Sequence, residues 1–190
     1  MTEYLTEAIV LDKKESGDFD SLVSLYTKDL GKVVARAKSV RKITSKLAGH
    51  LEPLNFVRVR LIEKNGFQVV DALAPKQKKE ARSSIENFSK SLALLQFIKE
   101  VSYELQPDPY FWREIRKILS GDFSAYDRSS EGREEKSIYR NLLKILGFNP
   151  KFADCHQCHS KPVNYFYKKD QLFFCGKCVS KIPKDEVIFV

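Results

Sequence analysis

The sequence lacks the patterns that would mark a membrane protein, a secreted protein or an enzyme. No stretch approaches the roughly 18 apolar residues in a row that a membrane-spanning helix needs. The N-terminus has no basic region ahead of an apolar run, so it does not resemble a signal peptide. There is no Gly-rich phosphate loop, no nucleophile elbow and no His-Glu-x-x-His motif. We therefore expect a cytoplasmic protein that is not an enzyme.

Histidine, a common general base, is also scarce. Of the three histidines only His50 lies outside the cysteine-containing segment, and it has no evident acidic or nucleophilic neighbour in sequence. The neighbouring carboxylates Glu134 and Glu135 lie in a polar stretch, residues 126–135, which we interpret as a solvated loop. We interpret His50 as a loop residue and predict no catalytic residue.

Acidic residues are absent from residues 31–50, which carry +6 of the net charge of +8. The six basic residues are Lys32, Arg36, Lys38, Arg41, Lys42 and Lys46. Such a stretch is typical of a surface that binds phosphates, although a charge run can also be merely a solvated face. Its place in a barrel of a nucleic-acid-binding type, described below, favours the phosphate interpretation.

Cysteine is limited to four residues, and all four fall into two Cys-x-x-Cys pairs. Cys155 and Cys158 form the first pair and Cys175 and Cys178 the second, with sixteen residues between the pairs. This spacing is typical of a four-thiolate zinc site, in which no coordination position is left for a reacting water. We therefore predict one structural Zn2+ held by these four cysteines.

Other interpretations of the cysteines are weaker. Two disulfides fit the spacing, but the sequence shows no secretory signal. Four unrelated buried cysteines would not be expected to pair in this way. His156 and His159 flank the first pair and are interpreted as neighbours of the metal site or as solvent-facing residues, because four thiols are already available.

The first third of the chain is predicted to form five short β-strands. They are expected over residues 3–11, 21–27, 32–38, 55–63 and 67–73. In the fourth, Arg58 and Arg60 alternate with apolar residues and should face solvent, and Asn65-Gly66 should close a hairpin with a primed turn. A longer connection between the third and fourth strands fits a Greek-key barrel of the OB type, with an SH3-like barrel as the alternative.

The middle third reads as three helices. A capping box at Ser83 and Glu86 opens the first, and Pro107 and Pro109 end it. Its expected core stripe is Ile85, Phe88, Leu92, Leu95, Ile98, Val101 and Leu105. Asp108-Pro109 starts the second helix, in which Phe111 and Trp112 are packing residues, and Gly147 ends the third. We expect these stripes to form a core, with a partner-peptide groove as the alternative.

Several motifs together resemble the bacterial RecO recombination-mediator family. They are residues 8–11 (Ala-Ile-Val-Leu), 20–27 (Asp-Ser-Leu-Val-Ser-Leu-Tyr-Thr) and 48–53 (Ala-Gly-His-Leu-Glu-Pro), and residues 142–150 ahead of the first cysteine pair. The sequence departs from the family at Ser39, where a Gly is usual. Only twelve residues follow Cys178, whereas the family usually continues with further helix, so the resemblance is to a short form.

The resemblance implies a nucleoid-associated DNA repair protein. It implies binding of single-stranded and duplex DNA, strand annealing, and loading of RecA together with RecR on DNA covered by single-strand-binding protein. From the basic residues we predict DNA contacts at Lys32, Arg36, Lys38, Arg41, Lys42, Lys46, Arg58 and Arg60. The implied tail of single-strand-binding protein would dock near residues 85–119, beside Lys90, Arg113 and Arg116.

Two alternative functions fit the sequence. The first is RNA binding by a zinc-ribbon protein associated with the ribosome or with transcription. The second is that of an adaptor that binds proteins through its helices and whose positive charge is incidental. The expected organisation is α+β in three parts. Residues 1–78 form the OB barrel, residues 79–150 a helical domain, and residues 151–190 a zinc ribbon with a C-terminal tail.

Overall fold

The structure, a computed structural model, describes residues 1–75, 84–120 and 133–190, with only the backbone of residues 133–137. It divides into two compact units, Met1–Gly121 and Asp122–Val190. Within the described residues no helix is both long and apolar enough to cross a membrane.

Five strands form a closed barrel in the first unit. They are β1 (Thr2–Ser16), β2 (Asp20–Thr27), β3 (Gly31–Ala37), β4 (Phe56–Glu63) and β5 (Phe67–Leu73). Their order around the barrel is β1-β2-β3-β5-β4, and β4 pairs back onto β1. Only the β3–β5 pairing is parallel. This Greek-key order confirms the predicted OB-type fold.

Alternation along the strands builds the barrel core, because successive side chains point to opposite faces. Most of the inward positions are valine or alanine, which suits a narrow five-stranded barrel. The core consists of Ala8, Val10, Val23, Leu25, Val33, Ala35, Ala37, Val40, Leu51, Val57, Val59, Leu61, Val69 and Ala72.

The predicted strands match closely, with one difference in β1. This strand runs to Ser16, because a bulge between Val10 and Asp12 lets it bend and continue along β2. At the β4–β5 hairpin Asn65 (φ 53°) and Gly66 (φ 105°) both lie in the left-handed region, as a primed turn requires.

Two helices follow in the same unit, α1 (Ile85–Val101) and α2 (Pro109–Leu119). The N-cap of α1 is Ser84, whose hydroxyl accepts from the Asn87 N–H; the predicted cap Ser83 lies outside the described residues. The carboxylate of Asp108 accepts from the N–H groups of Tyr110 and Phe111 and caps α2, as predicted.

The buried face of α1 differs from the predicted stripe. Leu95, Ile98 and Val101 are buried as expected, but Ile85, Phe88 and Leu92 are exposed. Leu105 is not helical; it has φ 56° and is also exposed. The remaining buried positions are Ser91, Leu94 and Phe97. Apolar residues are so dense in this helix that its sequence fits more than one rotational setting, and packing decides which face is buried.

The helices pack on the outside of the barrel through aromatic residues. The Tyr26 ring lies 5.4 Å from that of Phe111 and 6.4 Å from that of Trp112, and Trp112 also meets Phe56 at 6.2 Å. An ion pair of 2.6 Å joins Lys99 of α1 to Asp12 of β1. Phe111 and Trp112 are therefore packing residues, as predicted.

The connector between α1 and α2 continues the sheet at β3. The Leu105 N–H donates to the Lys32 carbonyl at 3.1 Å, and Glu104 forms a parallel bridge with Lys32. Gly31 makes this approach possible: it has φ +70°, and a Cβ there would lie 2.4 Å from the Gln106 carbonyl oxygen.

The second unit contains α3 (Arg133–Ile145) and three short strands, β6 (Tyr165–Tyr167), β7 (Leu172–Phe174) and β8 (Val187–Phe189). The helix ends at Gly147 (φ 90°), as predicted, with the Phe148 N–H donating to the Leu143 carbonyl. Because α3 begins at Arg133, the end of the predicted polar loop is helical; residues 126–132 lie outside the described residues.

The predicted zinc ribbon contains a three-stranded sheet ordered β7-β6-β8. The sequence analysis missed β8 because it is a three-residue run separated from the other strands by the second cysteine pair. Phe166 is fully buried at the centre, with ring centroids 5.1 Å from Phe173 and 5.4 Å from Phe148.

The division into domains at residues 78 and 150 stays a prediction. The structure groups the chain differently, since α1 and α2 belong to the same compact unit as the barrel and α3 to the unit of the zinc ribbon. The aromatic contacts of Tyr26 are the physical reason for the first grouping.

Gly31→Ala should lower the free energy of unfolding by about 2–3 kcal/mol, because it adds both a left-handed φ penalty and a clash with the Gln106 carbonyl. Gly17→Ala is the matched control: its φ is +67° but nothing lies within 4 Å of the added Cβ, so it should cost only about 1 kcal/mol. Urea unfolding measures both. Equal losses would show that the close approach does not constrain the fold.

Candidate metal centre and nucleic-acid interface

The four cysteines converge at one point in the second unit. The Sγ atoms of Cys155, Cys158, Cys175 and Cys178 all lie within 4.8 Å of one another, and those of Cys158 and Cys175 are 3.6 Å apart. Thiolates arranged tetrahedrally around zinc, with bonds of about 2.3 Å, are about 3.8 Å apart. The cluster therefore has the donor set and spacing that a structural zinc ion requires.

Short backbone hydrogen bonds hold the two cysteine pairs in place. The His159 N–H donates to the Cys155 carbonyl at 2.8 Å, and the Val179 N–H donates to the Cys175 carbonyl at 3.1 Å, so each pair forms a tight turn. The His156 N–H donates to the Phe173 carbonyl at 2.9 Å and ties the first turn to β7. The ribbon thus brings together residues about twenty positions apart in sequence.

Without a cation the four thiols would not ionise together. The hydrogen bond from the Cys178 N–H, assisted by the Ser160 hydroxyl, lowers the pKa of Cys175 to about 6. The hydrogen bond with Cys158 raises the pKa of Cys178 to about 12. A divalent ion would neutralise the repulsion between neighbouring thiolates and allow all four thiols to ionise. The cluster therefore favours a metal that prefers sulfur.

Neither neighbouring histidine belongs to the cluster. His156 and His159 are both exposed, and the His156 ring meets Phe174 at 6.0 Å. The cysteine set is complete without them, which agrees with the interpretation of both as residues outside the coordination sphere.

The basic residues of the segment 31–50 differ in their surroundings. Lys38, Lys42 and Lys46 are exposed and form no ion pair within the described chain. Arg36 pairs with Asp20 at 2.9 Å, and Arg41 pairs with Glu15 at 3.0 Å. Part of the charge counted from sequence is therefore balanced by acids from the β1–β2 hairpin.

Lys32 lies at the start of β3, four residues before Arg36, and is partly buried against α1. Its Nζ donates to the Lys99 carbonyl at 3.0 Å, and burial lowers its pKa. This lysine holds the C-terminal end of α1 against β3, a role that the sequence does not reveal.

Arg58 and Arg60 lie on a different part of the barrel. β4 pairs only with β1 and β5, so neither residue adjoins β2 or β3. Both side chains face solvent, as predicted, and Arg60 pairs with Glu3 at 3.5 Å. The structure does not place these arginines in one row with Arg36, and their contact with DNA stays a prediction.

An exposed apolar strip accompanies the basic residues, and the sequence analysis missed it. On the outer side of the sheet Leu22 stands opposite Arg36, with Lys14 on its other side. Val34 is the next outward residue of β3. We call this surface the β2–β3 face. Its members are Lys14, Phe19, Leu22, Val34, Arg36, Lys38 and Lys42.

Phe19 is the aromatic residue of this face. It lies in the β1–β2 turn, its side chain is 52% exposed, and the Lys42 ammonium lies 5.3 Å from its ring centroid. The signal that could have revealed it is a Phe between Asp18 and Asp20 in a turn otherwise made of polar residues and Gly.

Ser39 explains the departure from the family pattern at the end of β3. It adopts φ 53°, in the region that favours glycine, and its N–H donates to Asp20 at 2.8 Å. This hydrogen bond is the largest of the causes that lower the pKa of Asp20, with the Arg36 guanidinium contributing in the same direction. Asp20 therefore fixes the start of the basic loop.

The basic residues expected at a partner site are engaged with three different neighbours. Lys90 pairs with Glu86 on α1 at 2.7 Å, and Arg113 lies 5.3 Å from the Tyr110 ring centroid on α2. Arg116 pairs with Glu7 of β1 at 3.0 Å. Their role in binding a partner stays a prediction.

His50 lies in the loop between β3 and β4, as predicted. Its Nδ1 accepts from the Ala74 N–H at 3.1 Å, which attaches the loop to the end of β5. The role is structural, and it depends on a contact between residues far apart in sequence.

Comparison with known proteins covers both units. The family model described as recombination protein O N terminal matches residues 1–78. DNA repair protein RecO of Dehalococcoides mccartyi is 29% identical over 180 residues, covering 93% of this chain and 70% of the relative. The chain is similar to RecO proteins over most of its length. The RecO protein of Myxococcus xanthus is 28% identical over 167 residues, or 85% of this chain and 66% of the relative.

The matches confirm the resemblance seen in the motifs. The RecO family model ends five residues beyond β5, so it covers the barrel. The RecO protein of Thermodesulfovibrio yellowstonii aligns over 187 residues at 29% identity, which takes in 93% of this chain and 70% of the relative.

We expect one zinc per chain in protein purified without chelator, measured by elemental analysis. Cys175→Ser should release the metal and loosen the three-stranded sheet more than the barrel, because binding energy at such a site is folding energy. His156→Ala combined with His159→Ala is the control and should retain full zinc content. Zinc loss in the histidine variant would show that the ligand set is not the four cysteines.

Proposed function

We propose that this chain serves DNA repair as a recombination mediator that acts by binding and not by catalysis. Through the β2–β3 face it binds single-stranded and duplex DNA without sequence preference, promotes annealing, and helps to load RecA with RecR on DNA covered by single-strand-binding protein. Similarity to RecO proteins, which are named DNA repair proteins, supports the DNA repair role itself.

One observation carries the mechanism: the β2–β3 face combines cations with exposed apolar groups. Lys38 and Lys42 are exposed at the rim where the long loop begins, and Phe19 lies beside them. Basic residues that track phosphates, together with an aromatic on which bases stack, are typical of OB folds that bind single strands.

Binding on this face would lower the repulsion between two strands. Each lysine that neutralises a phosphate releases counterions, and phosphate contacts carry no base information. Stacking on Phe19 is also tolerant of sequence, since every base has a π face. A bound strand whose phosphates are neutralised and whose bases are unstacked from one another is available to pair with a complementary strand.

The protein partners form a separate part of the proposal. The tail of single-strand-binding protein is acidic with an apolar end, and we place it near residues 85–119 beside Lys90, Arg113 and Arg116. Exposed Ile85, Phe88 and Leu92 on α1 support an apolar contact there. RecR and, indirectly, RecA are the remaining partners.

Replacing Lys38, Lys42 and Lys46 together by Gln should weaken binding to oligo(dT) and flatten the salt dependence. With about 0.7 of slope per phosphate on a single strand, three lost contacts reduce the slope of log affinity against log salt by about two. Fluorescence anisotropy over a salt series gives both quantities. These lysines are chosen because Arg36 and Arg41 are already paired with acids.

Arg140→Gln with Lys144→Gln is the matched control, because both side chains are exposed on α3 of the other unit. This variant should keep the wild-type slope. If it abolishes binding while the lysine variant behaves as wild type, DNA lies on the second unit and the proposed surface is wrong. Folded RNA that outcompetes oligo(dT) would favour the RNA-binding function instead.

Phe19→Ala should weaken oligo(dT) binding by about 1–3 kcal/mol, the usual loss of one stacked base, without changing the salt slope. Phe152→Ala provides a control, since Phe152 is also strongly exposed but lies in the second unit. The same anisotropy series separates the two effects. A Phe19 variant with wild-type affinity would remove base stacking from the mechanism.

A further inference from the structure

A cavity of about 270 Å³ lies between the barrel and α2, away from the β2–β3 face. Its walls come from β1, β4, the end of β5 and α2, all within the first unit. The apolar lining residues are Ala8, Phe56, Val57, Leu73, Pro75 and Trp112. This volume is somewhat below that of a site for a drug-sized ligand, so it suits one small planar group.

Three charged side chains border the cavity, and they differ in their pairing. Arg58 is exposed and makes no ion pair in the part of the chain described. Arg116 is held by Glu7 at 3.0 Å, and Glu7 stands opposite Arg58 in the β1–β4 pairing. Among the described residues, the site thus offers one guanidinium without an ion pair, a second guanidinium paired with Glu7, and one carboxylate acceptor.

We propose that this cavity binds a single nucleotide whose base carries an exocyclic amino group. The phosphate lies at Arg58, the base lies against the walls formed by Trp112 and Phe56, and Glu7 accepts a hydrogen bond from the amino group. This inference rests on the proposed function for the class of ligand, since a DNA-binding protein meets nucleotides as parts of a strand.

The charges favour a nucleotide over a peptide carboxyl terminus. Either anion can bind Arg58, but a peptide carboxylate offers the Glu7 carboxylate no hydrogen-bond donor, whereas an amino-bearing base does. Guanidinium groups match phosphate oxygens, and the apolar walls exclude water from the base. Cytosine presents an N4 amino group where thymine has a carbonyl, so the two pyrimidines differ at the atom that Glu7 would contact.

The site lies apart from the first DNA surface. Strand β4 pairs with neither β2 nor β3, so a nucleotide at Arg58 is separated from a strand on the β2–β3 face by the barrel wall. One protein could then hold two nucleic-acid segments at once, which is what an annealing protein has to do.

The test uses Trp112, the sole tryptophan of the chain and a wall of the cavity. Deoxycytidine monophosphate should quench its fluorescence saturably, and thymidine monophosphate should bind about fivefold more weakly, the effect of one lost base contact. Arg58→Gln should weaken both nucleotides several-fold. Glu7→Ala should remove the preference for cytosine.

Arg36→Gln, on the β2–β3 face, is the control and should leave nucleotide quenching unchanged. The inference is overturned if neither nucleotide quenches saturably, or if Arg58→Gln responds as wild type. Quenching by N-acetylphenylalanine but not by nucleotides would reassign the cavity to a peptide terminus. Failure of the proposed function would give a different result. The three-lysine variant would bind oligo(dT) as the wild type does, while the mononucleotide results would be as expected.

Discussion

Closure of the barrel by the parallel β3–β5 pairing is the constraint on which the rest of the first unit depends. Only Ala35, Arg36 and Ala37 of β3 reach β5, so the first residues of β3 are left with an unpaired edge. The α1–α2 connector covers this edge through Leu105 and Glu104. Sheet edges need such cover, since their open N–H and C=O groups would otherwise pair with other chains.

That arrangement also decides which barrel surfaces remain open. The aromatic contacts of Tyr26 and the Lys99–Asp12 ion pair seat the helices over β1 and β2. At the opposite end of the β2–β3 hairpin Leu22 and Arg36 are exposed in the part of the chain that the structure describes, and the basic loop begins there. The packing of α1 and α2 on the barrel therefore buries one end of the β2–β3 hairpin and leaves the other end exposed.

Local patterns in the sequence were sufficient for the five barrel strands, the helix cap at Asp108 and the cysteine cluster. These features depend on neighbours a few residues apart, or on the restrictive spacing of metal ligands. The rotational setting of α1, the burial of Lys32 and the pairing of Arg36 with Asp20 depend on contacts between distant segments. Charge counting in particular overstated the available cations, because acids from another hairpin balance two of them.

The covered edge of β3 has a consequence for folding during synthesis. All five strands have left the ribosome once Leu73 has emerged, but the segment that covers β3 follows only at Glu104 and Leu105, about thirty residues later. During that interval the nascent barrel presents unpaired backbone groups to its surroundings. Lys32 occupies the outward position nearest this edge. Its charge discourages pairing between strands of different molecules. Lys32, which anchors α1 in the finished domain, therefore first discourages the open edge of β3 from pairing with other chains.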